Sequence, residues 1–285
     1  MDSDALDAFA RELAKDESEI DLARLCLQVA EDAYPGLDVE GYAGELDRHA
    51  KRLRARLGVD IAPEEKVIAL NEFLFDDLGY TGNTKDYYDP RNSYLNEVMD
   101  RRMGIPITLA VLYMETGRRV GLEVEGVSFP GHFLVQLRVR KGTLVLDPFA
   151  GGLPQSEDEL RDRLKRVVPP AATGGIPVSE LPLQQFLEPA GKRQILARLL
   201  RNLKGIYRKR DDPDRLLQVL NRMLVVAPDS TGDLRDRGLL YQRMECWRPA
   251  LEDLKLYLAR EPEAPDTEEI RATTMELTRR CARLN

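Results

Sequence analysis

The sequence predicts an α+β protein, mostly helical with a small antiparallel sheet, that ends in an α-helical repeat domain. Three observations carry this. Apolar residues recur with helical period up to about residue 121, alternate with a period of two through 146, and return to helical period from 191 onward. Glycine and proline punctuate the changes. A period of 34 residues runs through the last third of the chain.

From residue 4 to about 80 the pattern is helical with short breaks. Ile20, Leu22, Leu25, Cys26 and Val29 share one helical face, and Tyr34-Pro35-Gly36 is a turn. Leu46, Leu53 and Leu57 mark a third helix ending at Gly58. Pro63 followed by Glu64 and Glu65 is a helix start, since proline suits the first turn and acids suit the positive end of the dipole. That helix runs through Phe73 and Leu74 to Gly79, and residues 81–93 read as a polar loop. Residues 94–103 read as a helix stopped by Gly104, and Pro106 opens the next helix, closed by Gly121.

Val124 with 126–129, then 133–139, then 144–146 are strand-like runs, separated by Pro130-Gly131 and Lys141-Gly142. Three antiparallel strands are expected. Residues 160–168 read as a helix. The expected division is 1–168 as a helical region with the α/β segment, 169–190 as a connector rich in proline and glycine, and 191–285 as the repeat domain.

In the repeat, Leu234, Gly238, Tyr241, Ala250, Leu254 and Pro262 occupy the large, small, aromatic, small, large and proline positions of a tetratricopeptide repeat. One period earlier stand Leu200, Lys204, Tyr207, Leu216, Leu220 and Pro228, so the aromatic and proline positions match and the small ones are lost. With a last helix over 266–283, this makes a short stack whose concave face suits a protein or peptide. Tyr207, Tyr241 and Leu254 are its expected surface residues. The alternative is a helical bundle packed within its own chain.

Composition narrows the classes. A net charge of −7 disfavours nucleic acid as main partner unless positive charge is concentrated, as it is in Lys192, Arg193, Arg198, Arg201, Lys204 and Arg208, which read as the solvated face of a helix. Cys26, Cys246 and Cys281 are far apart and form no metal-binding spacing, which fits a reducing cytoplasm. The acidic start lacks the apolar core of a signal peptide, and no apolar run is long enough to span a membrane. No phosphate-cradling loop and no cluster of metal ligands appears, so no cofactor and no metal are expected.

Chemistry concentrates in residues 92–152. There a helix and a glycine-bounded turn lead into a buried helix, then to His132 at the start of one strand and Asp147 on the next. A carboxylate facing an imidazole fixes its tautomer, which is the base–orienter half of a catalytic triad. A hydrogen-bonded structural histidine is the equal alternative. The loop with Tyr87 and Tyr88 either lines a cleft here or packs over the domain.

These residues resemble the transglutaminase-like, papain-related core. More closely, NSYLNEVMDRRMGIPITLAVLY (92–113), FPGHFLVQL (129–137) and LDPFAGG (146–152), followed by ILARLLRNLKGIY (195–207) and LRDRGLLY (234–241), resemble the bacterial SirB-type family. That family joins a transglutaminase-like domain to tetratricopeptide repeats. The resemblance makes His132 and Asp147 the family's histidine and aspartate. It puts Pro106 where the nucleophilic cysteine belongs, and proline has nothing to ionise. Thr108 and Ser93 are the nearby hydroxyls. Each has a quieter role, Thr108 bonding within its helix and Ser93 or Asn92 capping the helix expected at Tyr94. Two functions follow: a protein-interaction or regulatory protein on a cysteine-less core, or a hydrolase or acyl/amide transferase using His132–Asp147 on a peptide-like substrate.

Overall fold

A computed structural model of the chain describes residues 3–58, 61–140, 142–174 and 176–283. They form two compact units. One comprises Arg11–Leu199, the other Met1–Ala10 with Leu200–Asn285. The boundaries fall inside α1 (Ser3–Leu13) and α8 (Lys192–Arg210).

In the Arg11–Leu199 unit the helices come first. α2 (Leu22–Glu31) is capped by Asp21, whose carboxylate accepts from the Arg24 amide at 3.0 Å. Asp38 does the same for α3 (Val39–Arg54) through Gly41 at 2.8 Å. α3 closes four residues before the Gly58 stop. α4 (Pro63–Asn71) starts on its proline as expected and passes into a π turn over Glu72–Asp77. α5 spans Leu95–Arg101 and α6 spans Pro106–Arg119. α6 is buried along nearly its whole length, because α2 to α5 pack on it from one side and the sheet from the other.

The polar loop expected over 81–93 and the helix end expected at 103 are both corrected. Thr81–Gly82 (β1) pairs in parallel with Met103–Gly104 (β2), and Pro90–Ser93 is a 3-10 turn. The helix ends early because Arg102 turns left-handed, at φ 55°, which frees the next two residues to pair.

The sheet holds the three expected strands, β3 (Val124–Val127), β4 (Leu134–Val139) and β5 (Gly142–Asp147), in antiparallel order. Lys141, in the turn expected between the last two, lies outside the described residues. Two short strands extend it: β6 (Leu153–Pro154) beside β5, and β7 (Pro189–Ala190) beside β3. β7 comes from the stretch read as a connector. α7 (Glu157–Val167) covers one face of the sheet, where Val127, Phe129, Leu134, Val145, Leu160 and Leu164 form a buried cluster.

The other unit carries α9 (Pro213–Val226), α10 (Thr231–Arg243), α11 (Trp247–Arg260) and α12 (Thr267–Arg283), with the second half of α8. A Cβ on Gly238 would lie 2.8 Å from the Leu254 side chain, so the small position lets α10 and α11 touch. Tyr207 and Leu254, expected at the repeat surface, are fully buried, and Tyr241 is half-buried against the same core. The aromatic and large positions of the repeat fill the space between helices, which is why they sit inside. Lys204, in the lost small position, instead reaches Asp233 and Asp236, at 2.6 Å each.

Candidate functional site

The β4–β5 register puts Val135 opposite Leu146, so the residues just ahead of β4 come level with Asp147, the last residue of β5. His132 sits in the turn two residues before β4 rather than on the strand, its amide bonded to Phe129 O at 3.0 Å. Its Nε2 lies 2.9 Å from both carboxylate oxygens of Asp147. A carboxylate only accepts, so Nε2 carries the proton and, in the neutral ring, Nδ1 keeps its lone pair. Among the described residues Nδ1 has no hydrogen-bond partner.

Asp147 is 1% exposed and is held from three sides. Besides His132, its Oδ1 accepts from the Phe149 amide at 3.1 Å and its Oδ2 from Arg163 Nη2 at 3.1 Å. Burial alone would raise the pKa of this carboxyl, but the His132 hydrogen bond and charge, with Arg163, hold it below the ordinary value. Arg163 is delivered by α7, whose start is fixed by a capping box between Ser156 and Glu159. Phe149 is delivered by the 3-10 turn Pro148–Ala150 that Asp147 itself caps.

The Phe149 ring stands edge-on to His132 at 5.9 Å and to Tyr87 at 6.3 Å, and Tyr87 meets Tyr88 at 5.3 Å. An aromatic row thus leads from Tyr88, 62% exposed, to the imidazole. Asn92 braces the loop that carries both tyrosines: its Nδ2 donates to Asp86 O at 2.7 Å and Tyr87 O at 3.3 Å, while its Oδ1 accepts from Asn83. Arg198 donates to the His132 carbonyl at 3.3 Å and to Ser128 Oγ at 3.2 Å.

Pro106 is the first residue of α6, and α6 packs against the 148–150 turn. Gly82, which pairs with Gly104, lies so close to the Phe149 ring that a Cβ would meet it at 2.6 Å. Phe149 therefore links the β1–β2 pair, just ahead of α6, to the His132 ring. Thr108 is buried and committed to the fold: its hydroxyl bonds the Asn92 carbonyl at 2.8 Å and accepts from the Ile105 amide at 3.1 Å. Ser93 does not cap α5, because Tyr94 holds the cap position. Its hydroxyl is buried without a hydrogen-bond partner among the described residues.

Of the three cysteines, Cys246 and Cys281 belong to the repeat unit. Cys26 is buried in α2, and burial, then the Glu115 charge, push its thiol far up. Glu115 is nine residues along α6 from Pro106, roughly 13 Å at the helical rise. The basic stretch after 192 is not simply a solvated face, because Arg193 pairs with Glu17, Lys204 with Asp233, and Arg208 with Asp236. Phe149 and Arg163 carry no expectation from the sequence, and Arg198, expected on a solvated helix face, instead holds the His132 carbonyl. Phe149 was within reach, two residues beyond Asp147; the other two come from separate helices, and no local pattern marks them.

Comparison with known proteins gives matches along most of the chain. Residues 40–201 match the transglutaminase-like superfamily, and residues 203–274 match the tetratricopeptide repeat. The UPF0162 protein of Xylella fastidiosa is 41% identical over 263 residues, covering 92% of each chain. The UPF0162 protein of Vibrio cholerae is 28% identical, covering 79% of this chain and 80% of its own. Protein SirB1 of Salmonella typhimurium is 26% identical over 230 residues, covering 80% and 82%.

Proposed function

The chain belongs to the transglutaminase-like superfamily and, with tetratricopeptide repeats behind that domain, to the SirB-type family; from that premise we propose that it is a protein-interaction or regulatory protein on a core that lacks the nucleophilic cysteine. Pro106 at the start of α6 is the observation that carries this reading. A thiol there would gain from the helix N-terminus and a nearby imidazole, whereas proline offers no group to attack with. Cys26 is buried beside Glu115 and does not substitute for it.

The repeats, taken as residues 191–285, supply the partner surface. Tetratricopeptide repeats generally mediate protein–protein contacts, and in this chain their unit offers a groove of about 360 Å³ lined by Leu216, Leu220, Leu239 and Leu240 with Arg208, Asp236 and Arg243. The setting proposed is the cytoplasm, where three free thiols persist; no described helix is long and apolar enough to cross a membrane. The test is a partner recovered on the full chain and then titrated directly. Leu239→Glu, at a groove residue 36% exposed, should weaken binding about tenfold or more with the thermal midpoint kept. Undiminished binding would move the partner surface off the repeats.

A second reading has its own support. The bond from Nε2 to Asp147 leaves Nδ1 as a base, so a hydrolase or acyl/amide transferase acting on a peptide-like substrate would use His132 as general base, Asp147 as its orienter, and water or a hydroxyl as nucleophile. His132→Ala should then abolish turnover of a peptide-like substrate. Survival of that turnover would remove this reading.

A further inference from the structure

A cavity of about 710 Å³ opens where β7 leaves the sheet, and neither His132 nor Asp147 lines it. β7 covers the outer edge of β3 only at Gly126 and Val127. Beyond them the chain passes through Gly191 into α8, so Val124 and Glu125 have no described strand beside them on that side. The cavity lies along this uncovered half, lined by Val124 and Glu125 on one hand and Ala190 to Lys192 on the other. An uncovered strand edge is a template for an added strand, with backbone bonds giving affinity and alternate side chains giving selectivity.

The alternation defines what that strand must be. Val124 points toward α6, where it meets Gly117, and the cavity wall on that side is apolar and buried: Leu22, Met114, Leu122 and Ile195. Glu125 points the other way, and Glu123, just ahead of the strand, lines a second hollow with it, beside Arg138. The lining holds four glutamates against two cations, so its surplus is negative. Of these, Glu115 pairs with Arg118 and Arg119, Glu17 pairs with Arg193, and Lys192 Nζ is turned to the carbonyls of Ser18 and Ile20. Glu125 accepts one neutral hydrogen bond, from Gln136 at 3.1 Å. Among the described residues, neither Glu123 nor Glu125 has an ion-pair partner.

We propose that this cavity binds an extended basic peptide, which pairs with Val124 and Glu125 as an added strand and sets apolar side chains on the Leu22–Met114–Ile195 wall and lysine or arginine side chains against Glu123 and Glu125. Residues facing one another across strands share a side of the sheet, so the matching pattern alternates apolar and cationic.

The test is a titration of the full chain with acetyl-VRVRV-amide, followed by calorimetry and by NMR of the β3 amides. Two control peptides accompany it, one with glutamate in place of arginine and one with proline at the centre. The arginine peptide should saturate with shifts at Val124 and Glu125. The glutamate peptide, and the chain carrying both Glu123→Gln and Glu125→Gln, should bind about tenfold more weakly, as the loss of two exposed ion pairs implies. The proline peptide, with no N–H to give at its centre, should not saturate. Both glutamates are exposed, so an unchanged thermal midpoint verifies the variant's fold. Equal binding of the arginine and glutamate peptides, full binding by the variant or by the proline peptide, or no saturable response to any of them would overturn the proposal. Shifts at Val124 and Glu125 distinguish this site from the repeats.

Discussion

At the scale of single residues, the site is organised around a carboxylate that the fold refuses to leave unpaired. Asp147 is buried with three donors on it, and removing one side of such a group strands the others. Asp147→Ala should therefore cost about 3 kcal/mol in denaturant unfolding. Its acid dependence follows from the lowered pKa of the folded carboxyl. As pH falls, the unfolded chain takes up this proton first, so the contribution of Asp147 is complete above the unfolded value of about 3.9 and is lost as pH drops through the folded one. Asp147→Asn should flatten the stability profile in that acid window; an unchanged slope would show that the pair does not set it. His49 acts at milder pH. It is buried against Phe73, and burial is the largest cause lowering its pKa, with Glu45 opposing and Arg102 adding. The neutral ring's contribution is complete above the unfolded value of about 6.5 and fades as pH falls through the folded one. His49→Leu should remove the loss of stability just below neutrality, read from urea midpoints at a series of pH values.

At the scale of elements, α2 is legible from the clear face it buries, and α6 and the three central strands from the proline and glycine that bound their apolar runs, since α6 is buried nearly all round. What the apolar pattern missed had no periodicity to offer. β1, β2, β6 and β7 are two residues each, and a pair such as Thr81–Gly82 with Met103–Gly104 exists only because Arg102 leaves helical geometry and α6 brings the segments together. His132 and Asp147 were legible as a pair, since consecutive antiparallel strands bring such positions level. Arg163 was not, because a helix sixteen residues on must be docked before its guanidinium arrives. In the repeat, Gly238 and Leu254 pack α10 on α11, and Leu254 and Tyr207, expected at the surface, lie inside instead. Two substitutions test the packing. Gly238→Val drives a side chain into Leu254 and should cost about 1–3 kcal/mol, and Leu254→Ala empties the same contact and should cost about 2–5 kcal/mol. Neither should leave the thermal midpoint of the repeat unit where it is.

At the scale of the whole molecule, one chain joins a transglutaminase-like domain to tetratricopeptide repeats, and the division of labour proposed for it turns on one position. If Pro106 stands where the family's thiol belongs, the core keeps the base and its orienter and lacks only the group they would activate. Pro106→Cys restores that group, and the measurement is the ultraviolet absorbance of its thiolate against pH, in the variant alone and combined with His132→Ala. The thiol should ionise well below the ordinary cysteine value of about 8.5 and return toward it when His132 is removed. A thiol with an ordinary or raised pKa, indifferent to His132, would contradict that division of labour and leave His132 and Asp147 as structural partners.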